Sequence, residues 1–245
     1  MENRREQLVS DAPAIKTEPA DLTLRGRAQS LVRDSILDGH FRPGQKLVER
    51  ELSELTGVSR SILRECLSHL EAKGLIERQS YRGFRVALLS RKNIEEIYEL
   101  RLPVEALAAE LFTERASEDH TVALRSAQTA LEASMSSFDV GWIRNAKERY
   151  YDILFSGCGN AEMGRALENV IDRIYYLRGQ TMQDPDRRRA SLAEMRRLTD
   201  ALTNRDRHEA RDASLSHIKA ARDAMLKRLA TIHNRYAAKT PAEAP

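Results

Sequence analysis

Ser59, Arg60, Ser61 and Arg64 set guanidinium groups and hydroxyls side by side within about one helical turn of each other. At the exposed start of a helix such a set suits a DNA groove. Arginine grips guanine O6/N7 or a phosphate with paired donors, serine can serve either, and the free backbone N–H groups of a first turn favour anions. The stretch that carries them, Val48 to Gly74 (VERELSELTGVSRSILRECLSHLEAKG), reads as short helices joined by a tight turn at Thr56-Gly57-Val58. Downstream, Arg82 stands beside Gly83, a cation next to a residue small enough for the backbone to approach a phosphate or the minor groove. Arg101 is a different case. It falls in the apolar helical stripe Ile94, Ile97, Tyr98, Arg101, Val104, Glu105, Ala108, Leu111, where a lone cation is costly. Either Glu105, four residues on, compensates it, or a ligand carboxylate or phosphate does so through the planar fork.

These groups need elements to hold them. Leu24 to Leu37 has helical spacing and is ended by Gly39 and the turn Phe41-Arg42-Pro43-Gly44. Glu49 to Thr56 is a second helix. Ser59 caps a third, which buries Ile62 or Leu63, Cys66, Leu67 and Leu70 and stops at Gly74. Leu75–Gln79 and Phe84–Leu88 alternate around Ser80-Tyr81-Arg82-Gly83 and read as a hairpin with Arg82 and Gly83 at its tip. Helices followed by a hairpin make a winged helix-turn-helix. Beyond Ser90 strand signals disappear, and residues 93–115, 118–135, 138–156, 161–180, 186–204 and 206–235 have helical periodicity. They predict an α-bundle, whose interior is a common place for a ligand. The expected organisation is mainly α. A flexible arm spans 1–21, a winged helix-turn-helix DNA-binding domain 22–89, an all-α effector-binding and dimerisation domain 90–236, and a disordered tail 237–245. On the last helix Leu215, Ile218, Met225, Leu229 and Ile232 are candidates for core or dimer packing.

Bulk properties narrow the function. The chain has 245 residues, 41% hydrophobic, 31% charged and 5% aromatic, which fits a helical soluble protein. No apolar run approaches the roughly 18 residues of a membrane span, and the polar N-terminal stretch lacks the apolar core of a secretory signal. Cys66 and Cys158 form no CxxC pattern and read as reduced structural thiols. A cytoplasmic location is expected. Residues 22–90 carry an excess of four positive charges and residues 91–245 an excess of one, so the positive balance sits on the helix-turn-helix. The chain shows no di-metal carboxylate pattern, no Gly-rich phosphate loop and no nucleophile set, which argues against an enzyme.

From Ala28 to Val86 the segments Ile36-Leu37-Asp38-Gly39, Pro43-Gly44, Glu49-Arg50-Glu51-Leu52, Gly57-Val58-Ser59-Arg60, Leu63-Arg64-Glu65, Leu70-Glu71, Gly74-Leu75 and Arg82-Gly83-Phe84-Arg85-Val86 occur in order. On these segments the chain resembles the GntR family of bacterial transcription regulators. The remainder resembles the all-helical FCD-type effector domain of the FadR-like subfamily, on Glu99 to Ala106, Gly157-Cys158-Gly159-Asn160 and Asp206 to His217. The resemblance implies a homodimer that binds a palindromic operator in double-stranded DNA and responds to a small molecule held in each helical domain. It assigns DNA contacts to Arg50, Ser59, Arg60, Ser61, Arg64, Arg82 and Gly83.

Many FadR-like effector domains hold a divalent metal on an Asp and a His four residues apart plus two later His residues. At the corresponding places this chain has Lys147, Tyr151, Met195 and His217, so only the last histidine remains. A lysine cation opposes metal binding and a thioether suits soft metals. No family-type metal or other cofactor is therefore expected. Small residues around His217 (Ala210, Ala213, Ser214, Ala220, Ala221, Ala224) could leave room for a ligand, although a lone His is more often a satisfied core residue. The resemblance favours a ligand anion on Arg101, with Lys147, Tyr151, Asn160, Met195 and His217 around it and Lys147 replacing the metal's charge. The expected function is a ligand-responsive repressor with a small organic-acid-like effector. The alternative is an effector-independent DNA binder whose pocket is filled by side chains such as Tyr151 and Met195.

Overall fold

The computed structural model describes residues 23–79, 83–137 and 139–237, with side chains as far as 232. The expected arm, the wing-tip residues Ser80, Tyr81 and Arg82, and all but the first residue of the expected tail lie outside the described residues.

The amino-terminal unit is built from α1 (Leu24–Leu37), β1 (Lys46–Leu47), α2 (Glu49–Thr56), α3 (Arg60–Ala72), β2 (Ile76–Gln79) and β3 (Gly83–Val86). Each helix starts or stops for a local reason. The Thr23 hydroxyl accepts from the Gly26 N–H to open α1, and Ser59 Oγ accepts from the Ile62 N–H to open α3. Between α2 and α3 the chain reverses at Gly57, whose φ of +70° is a left-handed conformation that a Cβ would strain. Val32, Ile36, Leu37, Leu63, Leu67, Leu70, Leu75 and Val86 form the fully buried heart of this unit. The wing has one strand more than the sequence suggested. β1 pairs antiparallel with β3, which pairs antiparallel with β2, in the order β1-β3-β2. Two residues are too few to show an alternating pattern, so β1 is invisible in sequence.

The rest is helical: α4 (Arg91–Arg115), α5 (Glu118–Met135), α6 (Val140–Gly157), α7 (Ala161–Glu168), α8 (Ile171–Met182), α9 (Pro185–Thr203) and α10 (Arg207–Ala237). The single helix expected over 161–180 is two, broken at Asn169-Val170. Apolar residues continue across that break (Met163, Leu167, Val170, Ile171, Ile174), so the periodicity alone hides it. The break matters, because α8 is a separate helix buried on nearly every side from Ile174 to Met182. Tyr175 and Tyr176 of α8 join the core of the amino-terminal unit, while Ile174 and Leu177 pack with Ile94, Tyr98, Ile218 and Met225. Ile218, Met225 and Leu229 are thus core residues of the bundle, with Ile232 packed against them. Cys66 and Cys158 are both buried free thiols, and no described helix is long and apolar enough to cross a membrane.

Candidate functional site

The first candidate site is the exposed face of α3. Leu63, Cys66, Leu67 and Leu70 turn inward, which leaves Arg60, Ser61, Arg64, Glu65 and Ser68 on the outer face. Together with Arg25 at the start of α1 they line an open concavity. Arg60 makes no ion pair or hydrogen bond with any described residue, so its guanidinium has all its donors available. Arg64 Nε lies 3.0 Å from Glu49 Oε2 and Arg50 Nη1 lies 2.9 Å from Glu54 Oε1. These arginines are highly exposed, and such pairs are weak enough to give way to a phosphate or a base edge. Ser59 accepts its cap bond yet keeps its own O–H to donate, and it is exposed. Gly83 opens β3 with φ +84°, and a Cβ there would meet open space. Of the DNA-contact set expected from sequence, Ser59, Arg60, Ser61 and Arg64 lie together on one surface; Arg50 is exposed on the neighbouring α2. Arg82 falls outside the described residues.

The second candidate site is a buried polar cluster in the bundle. α4 supplies Arg101 and Glu105, α6 supplies Lys147 and Tyr151, α8 supplies Arg178, α9 supplies Arg187, Ser191 and Glu194, and α10 supplies His217. They lie close enough for their charges to act on one another. Arg101 Nε donates to Glu105 Oε1 at 2.6 Å, and the ring of Tyr98 lies 4.9 Å from the guanidinium carbon. Burial disfavours both charges, but each partner more than restores the other: Arg101 is held above and Glu105 below its ordinary value. The expected free fork of Arg101 is thus already filled by a carboxylate of its own helix. This is the first of the two partners that the sequence left open for Arg101.

Lys147 has no carboxylate partner among the described residues. Its Nζ donates to Ser191 Oγ at 2.9 Å, and burial followed by the charges of Arg178 and Arg187 pushes its amine well below the usual lysine range. His217 Nδ1 lies 2.6 Å from Glu194 Oε2, while Arg187 Nη1 and Nη2 donate to the same carboxylate at 2.6 and 2.8 Å. Burial pushes the His217 imidazole down to about 4, despite Glu194. For Glu194 burial opposes ionisation, but the bonds from His217 and Arg187 prevail and pull the carboxyl down to about 2. A neutral ring that bonds a carboxylate through Nδ1 carries its proton there. Met195 is fully buried one turn beyond Ser191. Asn160 does not join the cluster. Its side chain accepts from the Glu162 N–H as the cap of α7, past the end of α6 at Gly157, which is ten residues or about 15 Å along that helix from Lys147.

Two donors in the cluster stand out. Nη1 of Arg178 and Nε of Arg187 are sealed from solvent with no hydrogen-bond partner. Arg178 stacks on Tyr151 with its guanidinium carbon 4.3 Å from the ring centre, and lies 5.5 Å from that of Tyr175. Arg101, Lys147, Arg178 and Arg187 face only Glu105 and Glu194, so the interior carries more basic than acidic groups. Arg178, Arg187, Ser191 and Glu194 were missed from sequence. The signal that found Arg101, a charged residue on an apolar stripe, also marks Arg178 among Tyr175, Leu177 and Met182 and Glu194 beside Met195 and Leu198. At the positions where the resemblance implies metal ligands, Lys147, Tyr151 and Met195 offer an amine, a phenol and a thioether, a donor set that does not suit zinc or manganese.

A winged helix-turn-helix joined to an all-helical bundle with a buried charged cluster defines a two-part DNA-binding regulator. Residues 24–86 match the bacterial regulatory proteins of the gntR family, and residues 96–220 match the FCD domain, half of the chain. The protein belongs to the GntR family, with an FCD domain as its second half. It is 28% identical over 187 residues to the HTH-type transcriptional regulator YdhC of Bacillus subtilis, covering 76% of this chain and 84% of that one. It is 28% identical over 188 residues to the Nta operon transcriptional regulator of Aminobacter aminovorans, covering 77% and 88%. Among solved structures, a GntR transcriptional regulator from Rhodococcus sp. RHA1 shares the fold with a TM-score of 0.73 at 20% identity, covering 83% of this chain and 97% of that one. The chain is a DNA-binding transcription regulator and not an enzyme.

Proposed function

We propose that this regulator responds to a small anion, bearing carboxylate or phosphate groups, held in the FCD domain between Arg178, Arg187 and Lys147. The observation that carries the reading is the pair of sealed, unpartnered guanidinium donors, Arg178 Nη1 and Arg187 Nε, inside a cluster with surplus positive charge. A buried donor without an acceptor costs on the order of 1–3 kcal/mol, and an anion placed there would remove that cost for both. Lys147 stands where relatives of this type place a metal-binding carboxylate and would supply positive charge without an ion. No metal or other cofactor takes part. The effector-bearing domains pair in a homodimer that spaces two winged domains on a palindromic operator. The α3 face is exposed for DNA; in this reading the protein binds the operator as a repressor and the anion releases it.

The test is isothermal calorimetry and thermal shift on the full chain with organic acids, sugar acids, phosphate esters and divalent cations. Stabilisation by one anion class that is lost in Arg178→Gln supports the reading. Stabilisation by zinc or manganese alone overturns it. Indifference to every anion favours the alternative of an effector-independent binder whose cluster is filled by its own side chains.

A further inference from the structure

We infer that α8 is the element that carries the state of the buried anion site to the DNA-reading unit, with Arg178 as its positioning residue. This rests on the anion reading above. Two stripes of α8 have different partners. Asp172, Tyr176, Gly179 and Gln183 recur at spacings of four, three and four and so share one face of the helix and its last turn. That face meets the reading unit. Asp172 Oδ1 accepts from Arg33 Nε of α1 at 2.7 Å, and Oδ2 forms an ion pair with Lys73 Nζ, just past the end of α3, at 3.1 Å. The Tyr176 hydroxyl donates to the carbonyl of Ala87, just past the wing, at 3.0 Å. At Gly179 a Cβ would stand 2.4 Å from the carbonyl oxygen of Leu37, so the helix lies directly against the end of α1. At Gly39 a Cβ would stand 3.2 Å from Gln183 Nε2.

The second stripe, Arg178 and Met182, is turned about 100° from the first and faces the buried cluster, with Tyr175, itself packed in the amino-terminal core, one turn before it. Arg178 lies against Tyr151 and Tyr175, and the Met182 carbonyl accepts from Arg188 at 2.7 Å. Gly179, one position from Arg178, touches α1, so one turn of a rigid helix joins the two sites. An anion that draws Arg178 Nη1 toward Arg187 and Lys147 turns or shifts α8. The same displacement must then move the seat of Asp172, Tyr176 and Gly179 under α1, α3 and the wing. Coupling through a packed helix is two-way, so a change on either stripe alters the other.

The test needs no ligand. Hydrogen–deuterium exchange is compared for full-length wild type, Arg178→Met, Arg178→Lys and Arg196→Gln. The expected result is that Arg178→Met speeds exchange at least about threefold in peptides covering 28–37 and 84–88, as a loosened local unit would. Arg178→Lys reverses most of that rise. Arg196→Gln, which changes an exposed arginine of α9 outside the cluster, leaves those peptides at wild-type rates. Unchanged exchange in Arg178→Met, or an equal rise in Arg196→Gln, overturns the inference. Should circular dichroism show Arg178→Met unfolded, Arg178→Gln takes its place under the same criteria. Because no anion is present, failure here is separate from failure of the anion reading, which is judged by calorimetry with the organic acids, sugar acids and phosphate esters named above.

Discussion

Arg101 and Glu105 stand one turn apart on α4 with Nε and Oε1 2.6 Å apart, and their side chains are only 1% and 2% exposed. A pair sealed this completely is held by mutual need, since neither charge has water to fall back on. Arg101→Ala should therefore destabilise the fold by about 3–5 kcal/mol, because it leaves Glu105 charged and buried. The double change Arg101→Met with Glu105→Leu should recover most of that loss, since both charges go together. Chemical denaturation of the single and double variants measures this. A mild effect of Arg101→Ala on stability, with a large one on anion affinity, would return Arg101 to the role of ligand.

Lys147 gives the anion site a proton signature. Its amine is pushed well below the ordinary lysine range by burial and by the Arg178 and Arg187 charges, and a bound anion would favour the protonated form. Anion binding should thus take up protons, and apparent affinity should fall as pH rises. Calorimetry in buffers of different ionisation enthalpy reads the uptake directly. Lys147→Met should abolish it while leaving the Arg178 and Arg187 donors in place.

His217 sets an acid limit on stability. Its folded value of about 4 lies below the roughly 6.5 of an unfolded histidine. The unfolded chain binds the proton more tightly, so the contribution is fully present above about pH 6.5 and is lost as pH falls toward 4. That difference corresponds to roughly 3 kcal/mol over the window. Glu194 adds a further loss as pH falls from the ordinary glutamate value of 4.5 toward its depressed value of about 2. His217→Gln keeps a donor for Glu194 and should flatten the slope between pH 6.5 and 4 in denaturation curves.

On α3, Arg60 and Arg64 should differ. Arg60→Ala removes an uncommitted fork and should cost about 1–3 kcal/mol of operator affinity if it reads a base, with relaxed preference at one position. Arg64 must first leave Glu49, an exposed pair worth at most about 1 kcal/mol, so Arg64→Ala should cost somewhat less. If either contacts a phosphate instead, its alanine variant should lower the salt slope by about one. Fluorescence anisotropy with a duplex enriched from random sequence distinguishes these cases.

The reading unit was legible in the sequence because its signals are local. The Ser59 cap, the Gly57 turn and the apolar spacing of Leu63, Leu67 and Leu70 each declare themselves within a few residues. Arg101 was legible as a buried charge, yet its partner could be either Glu105 or a ligand until the two were seen in contact. The rest of the cluster was not legible, because it is assembled from five helices whose facing residues are far apart in the chain. Lys147 meets Ser191, and His217 meets Glu194, through packing alone. The division between α7 and α8 was hidden for a related reason: a helix break leaves no mark when apolar residues continue across it.

The most direct measurement is the affinity of the full chain for its enriched duplex, taken with and without a saturating anion identified by calorimetry. The expected shift is on the order of 5- to 150-fold for wild type and close to none for Arg178→Gln. An identical DNA affinity for wild type in the presence and absence of that bound anion would contradict the proposed regulation.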